Sequence, residues 1–113
     1  YVPDTTIEEY VTAVREHAAA CSEWLPDMRA PRQQSYAALT LCRALYTVRH
    51  GRATSKAEAA AWLAAEMPQY ESLLVQALRW REVAQDNPAA AERAYPQTLR
   101  FVQEMQAEIA QES

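Results

Sequence analysis

Glycine is nearly missing: Gly51 is the single one in 113 residues. Tight turns between strands draw on glycine for positive φ, so this scarcity argues against sheets joined by short hairpins. Long apolar runs are absent as well, and no stretch approaches the roughly 20 residues of a membrane span. The N-terminus has neither the basic start nor the apolar core of a secretion signal. Tyr1 stands where an initiator Met would, which suggests trimming and leaves room for a lost leader. Cys21 and Cys42 are too few and too widely spaced for a metal motif or a disulfide framework. Both fall among apolar helical positions and read as reduced core thiols. That composition fits a cytoplasmic protein. Basic residues, 11 against 15 acidic, are outnumbered to give a net charge of −4. A duplex-binding module rests on a basic face, so no nucleic-acid partner is expected, although a local basic pocket is compatible with this charge.

Recognisable chemistry is scarce too. There is no phosphate-cradling glycine loop, no nucleophile elbow, no paired-histidine metal motif and no closely spaced set of aspartates. The sequence therefore offers no catalytic residue and no metal ligand. His17 lies mid-helix among alanines, as a surface or boundary residue. His50 falls at a helix C-terminus, where the dipole alone accounts for it.

What is present is alanine and helical periodicity. Half of the residues are apolar, and alanine abundance without glycine favours helices. Thr5-Thr6-Ile7-Glu8 has capping-box spacing. Behind it Ile7, Tyr10, Val11, Val14, Ala18 and Cys21 form one stripe toward Trp24 and Leu25, which Pro26 ends. After a loop with two prolines, a second helix is predicted from about Arg32 to Arg49, apolar around most of its girth. Gly51 stands at its left-handed C-cap. Ser55-Lys56-Ala57-Glu58 caps a short third helix bearing Ala59, Trp62, Leu63 and Met67, bounded by Pro68. A fourth carries Tyr70, Leu73, Leu74, Ala77, Leu78 and Arg81 on one face, with Trp80 off the stripe and partly exposed. Asp86-Asn87-Pro88 separates it from a fifth, with Asn87 as N-cap and Pro88 at the first position, and Pro96 should kink or restart that helix. Leu99, Val102, Met105 and Ile109 complete the last stripe. The expected fold is all-α, one compact antiparallel bundle of five helices over residues 1–113.

Three cations break this pattern. Lys56 occupies the first turn of a helix, where the dipole favours acids, and its placement makes sense if an anion binds there. The plain alternative is a solvated lysine paired with Glu58. Arg43 interrupts the apolar surround of the second helix and needs a carboxylate, a carbonyl or a ligand phosphate; an internal ion pair is its plain alternative. Arg81 falls on the apolar phase of the fourth helix. Together they could line one anion pocket. Trp24, Trp62, Tyr36, Tyr46 and Tyr70 fall on stripes or at helix ends and read as core.

The run Gln34-Ser35-Tyr36-Ala37-Ala38-Leu39-Thr40-Leu41-Cys42-Arg43-Ala44-Leu45-Tyr46-Thr47 carries a resemblance, continued by Gly51, Ser55, Lys56, Ala59, Ala60 and Trp62. It resembles the C-terminal helical domain of the streptomycin/spectinomycin (aminoglycoside) adenylyltransferase family and its uncharacterised relatives. The likeness extends more loosely from Trp24 to the last helix. In that family an N-terminal nucleotidyltransferase domain holds the metal-binding carboxylates and the base, and the helical domain closes the cleft over ATP and acceptor. The resemblance implies that Lys56 reaches the triphosphate, that Arg43 lines the same region, and that Arg81 replaces a phosphate-contacting tyrosine. ATP and Mg2+ are implied for the full-length protein, with none held by this domain alone. The implied partners are the N-terminal domain of the same chain, a nucleotide and a small-molecule acceptor. Drug-modifying members carry acids in the loop before the second helix. Here Arg29 and Gln33 align with them and only Asp27 is nearby, so a cationic aminoglycoside would meet a basic loop. A different hydroxylated or anionic acceptor stands beside the antibiotics.

The implied role is binding within a nucleotidyltransferase, with no transfer by this domain alone, because metals and base lie elsewhere. A stand-alone helical interaction module that partners a separate nucleotidyltransferase is the second reading. A third is an RNA-cleaving helical domain, from the Arg-x6-His spacing of Arg43 and His50.

Overall fold

The computed structural model describes residues 7–27, 29–82 and 88–111. The expected capping box at Thr5–Glu8, the N-cap at Asn87 and the packing of Cys21, Trp24 and Leu25 lie outside what is described. Five α-helices are present among the described residues, and no strand: α1 (Ile7–Trp24), α2 (Pro31–His50), α3 (Lys56–Glu66), α4 (Glu71–Glu82) and α5 (Pro88–Gln111). Short 3₁₀ turns at Leu25–Asp27 and Pro68–Tyr70 follow α1 and precede α4.

Local chemistry sets the boundaries. Pro31 opens α2 with φ already fixed at a helical value and no N–H to leave unpaired. Ala30 before it has no side-chain acceptor, and Gln33 reaches back so that its Oε1 accepts the Ala30 N–H at 3.1 Å. Gly51 closes the helix at φ 68°, with its N–H donating to the Thr47 carbonyl at 2.8 Å. Any residue with a Cβ would be strained there. Ser55 caps α3, its hydroxyl accepting the Glu58 N–H at 3.1 Å.

α2 is the hub. Ala37, Ala38, Leu39, Leu41, Cys42 and Leu45 are each at most 1% exposed, because α4 and α5 pack against it most extensively and α3 and α1 cover other sides. Alanines at 37, 38 and 44 let neighbouring backbones approach closely. From α5, Phe101, Val102 and Met105 fill the centre, and Phe101 meets the edge of Tyr70 at 4.9 Å between ring centroids.

Three expectations are corrected. Trp80 is buried and Arg81 exposed. After Leu73, Leu74 and Ala77 the stripe continues through the i+3 position and not the i+4 position, since either step keeps the face and the indole has far more area to bury. Tyr36, expected in the core, is 43% exposed. Of the two outcomes expected at Pro96, a kink or a restart, the restart does not occur: Pro96 lies inside one continuous helix, α5. Pro96 sits on the exposed side, where water can satisfy the carbonyl one turn earlier that loses its N–H partner.

Two polar side chains are buried between the helices by design of their partners. The Ser35 hydroxyl donates to the Ala77 carbonyl, tying α2 to α4. Gln34, 1% exposed, donates from Nε2 to the carbonyls of Arg29 and Ala91, each at 2.8 Å, and accepts from the Thr98 hydroxyl at 2.7 Å. Burial pushes the Cys42 thiol far above its ordinary range. The thiolate is the reactive form, so Cys42 should resist alkylation in the native chain and react only on unfolding. Peptide-level mass spectrometry after iodoacetamide treatment checks this; native labelling at Cys42 would contradict it.

Candidate functional site

α1 and α2 do not meet along their whole length. Between them, at the start of α3, lies a cavity of about 310 Å3. α1 contributes Tyr10, Ala13, Val14 and His17, spaced three and four apart on one face. α2 contributes Tyr36, Thr40, Arg43, Ala44 and Thr47, again one face, and α3 contributes Lys56 from its first residue. None of these lining residues is acidic.

Helix packing places the two lining cations. Arg43 is half-buried on the flank of α2, and its Nε donates to the Thr54 carbonyl at 3.0 Å. This carbonyl takes the place of the internal carboxylate that burial of a guanidinium would otherwise demand. Lys56 lies beside it with Nζ 4.9 Å from the centroid of the Tyr36 ring, within cation–π range. Glu58, the expected plain partner of Lys56, instead accepts from the Thr54 hydroxyl at 2.8 Å. Among the described residues no carboxylate forms an ion pair with Arg43, Lys56 or Arg81.

Electrostatics links all three. Burial lowers the Lys56 pKa from its ordinary value, and the charges of Arg43 and then Arg81 lower it further. Arg81 is exposed near the end of α4 and does not line the cavity, yet its charge is felt at the ammonium. Arg43 and Lys56 thus share a cavity with no acidic side chain in its lining, and the Arg81 charge is felt at the same ammonium. The first turn of α3 adds its free N–H groups at the same place.

The loop residues fall elsewhere. The Arg29 guanidinium lies over the Tyr95 ring at 4.2 Å and reaches Glu92 at 3.6 Å. Gln33 is occupied in the α2 cap, and Asp27 is exposed in the 3₁₀ turn. None of the three lines the cavity. His50 is also separate: its ring lies 4.2 Å from that of Tyr46 and 5.2 Å from that of Trp62, with Nδ1 3.1 Å from the Tyr46 carbonyl. It does not line the cavity that holds Arg43.

Tyr10, Val14, Tyr36, Thr40 and Thr47 were not singled out by sequence reasoning as binding residues. Tyr10, Val14 and Tyr36 read as core and the two threonines only as letters of the family run, and only the gap between two helices converts them into a wall. Among the described residues no three histidine, cysteine, aspartate or glutamate side chains gather to hold a metal ion, and no helix is long and apolar enough to cross a membrane.

Fold and site together define an all-α domain with a cation-bearing cavity. Over residues 2–108 the chain matches the family model described as aminoglycoside adenylyltransferase, C-terminal domain, and it belongs to that family. Membership of a C-terminal domain family implies an N-terminal nucleotidyltransferase domain in the same polypeptide. No curated protein and no solved structure matches the chain.

Proposed function

We propose that this domain is the phosphate- and acceptor-binding half of an adenylyltransferase-like nucleotidyltransferase. Lys56, Arg43 and Arg81 clamp the polyphosphate of ATP. The metal-binding carboxylates and the base belong to the N-terminal domain, where Mg2+ would sit. The observation that carries the reading is the placement of Arg43 and Lys56 in one cavity that no acidic side chain lines, with Arg81 close enough for its charge to be felt at Lys56. Preorganised cations of this kind stabilise charge that develops on the leaving pyrophosphate. They hold and orient; they do not deprotonate an acceptor. The domain alone is therefore inactive. The loop with Asp27, Arg29 and Gln33 is assigned to the acceptor side by family resemblance alone. A protein that consumes ATP in this way works in the cytoplasm.

The test is titration of the full-length protein with Mg-ATP, wild type against Lys56→Ala. A charged hydrogen bond contributes about 1.5–3 kcal/mol, so affinity should fall roughly 10- to 100-fold. Affinity unchanged by the substitution would remove Lys56 from the site.

A further inference from the structure

The cavity is larger than its cations require. Its volume of about 310 Å3 is roughly ten times the ~30 Å3 share of one water, so an anionic head group fills only part of it. Beyond Arg43 and Lys56 the wall carries Ala13, Val14 and Ala44 with the rings of Tyr10 and Tyr36, and its polar remainder is His17, Thr40 and Thr47. Water against alanine and valine methyl groups has few partners and gains by leaving. Nothing acidic lines the space, so a polyamine would enter against two positive charges with no counter-charge to receive it.

We propose that the α1–α2 cavity binds a small molecule with an anionic head and a ring-bearing apolar body. The head rests on Arg43 and Lys56, and the body lies against Ala13, Val14 and Ala44. Arg43 can serve this head and a nucleotide tail together. Among the described residues only its Nε is engaged, by Thr54, and the guanidinium fork has two terminal nitrogens that can face different anions. Polyphosphate approaches on the Arg81 side, and the head group occupies the cavity side. The ligand's role as acceptor rests on the proposed function; its chemical class does not. The acceptor would then be an anionic ring compound, set against the cationic antibiotics for which the family is named.

Phenyl phosphate is the probe, compared with inorganic phosphate on the full-length protein by titration calorimetry. The two share a head and differ by the ring. Burial of the ring should make phenyl phosphate roughly tenfold tighter. Ala13→Phe fills the cavity from an exposed position and should erase the difference between the probes. Tyr36→Ala, also at an exposed position, should reduce it by removing one wall. Streptomycin should not displace phenyl phosphate. Equal affinity for the two probes overturns the proposal, as does a preference that survives both substitutions or displacement by streptomycin. If the preference holds while Mg-ATP affinity ignores Lys56→Ala, the nucleotide reading fails and the ligand class stands. The reverse pattern fails the ligand class alone.

Discussion

Replacing Gln34 with alanine is expected to lower the unfolding free energy by about 2–4 kcal/mol, one of the largest losses from a single polar side chain in this domain. The amide is buried and fully used, by the carbonyls of Arg29 and Ala91 and by the hydroxyl of Thr98. Alanine removes those bonds and opens a void at the same time. The Ala91 carbonyl and the Thr98 hydroxyl, which lie 57 and 64 residues away in sequence, are left without the partner that folding assembled for them. Gln34→Glu should be worse at neutral pH, because a buried carboxylate would face two carbonyl oxygens and could only accept. Acid should partly rescue that variant by restoring a donor. Urea unfolding at constant m reads the difference. A loss below about 1 kcal/mol in Gln34→Ala would show that water replaces the amide without cost.

Lys56→Glu should separate stability from binding. The substitution removes a cation from the field of Arg43 and Arg81 and places an acid at the first turn of α3. At a helix N-terminus an acid contributes about 0.3–1 kcal/mol, so the ligand-free domain should become more stable. Polyphosphate affinity should fall by more than tenfold, since a charged hydrogen-bond donor is replaced by a repelling carboxylate. The wild-type penalty has a pH signature. Because the folded-state pKa of Lys56 is lowered, the unfolded chain binds more protons between that value and the ordinary 10.5. Stability from this group therefore rises with pH across that window, and the penalty is present in full below it. The stability advantage of the variant should shrink as pH climbs through the same window. Denaturation at several alkaline pH values, paired with pyrophosphate titration at neutral pH, measures both halves. A variant that loses stability and binding together would indicate that Lys56 supports the fold and faces no anion.

Local signals were well expressed in the sequence. Pro31, Gly51, Ser55 and Pro68 mark boundaries because each acts through its own backbone or nearest turn. The central burial of α2 was legible from apolar residues around its girth. Where two local solutions were equivalent, the sequence could not choose. Trp80 and Arg81 both extend the face begun by Leu73 and Ala77, and packing from other helices decided between them. The unusual placement of two cations was legible for a similar local reason, Lys56 standing against the helix dipole and Arg43 breaking an apolar surround, whereas the cavity they line leaves Arg81 outside. The cavity was not, because it is the space where α1 and α2 fail to touch, and no spacing within either helix encodes a gap. Gln34 was visible only as one letter of a family motif. Its partners are too distant in sequence for any pattern to reveal them.

The two walls of the cavity differ in how much of the fold depends on them. The α2 wall belongs to the element on which every other helix leans, so substitutions at Thr40, Ala44 or Thr47 disturb packing before they alter recognition. The α1 wall is borne by a helix supported on fewer sides, and Ala13 and His17 there are open to solvent. Substitutions along α1 can therefore reshape the cavity at little cost to the fold, while those on the charge-bearing face of α2 carry a packing penalty.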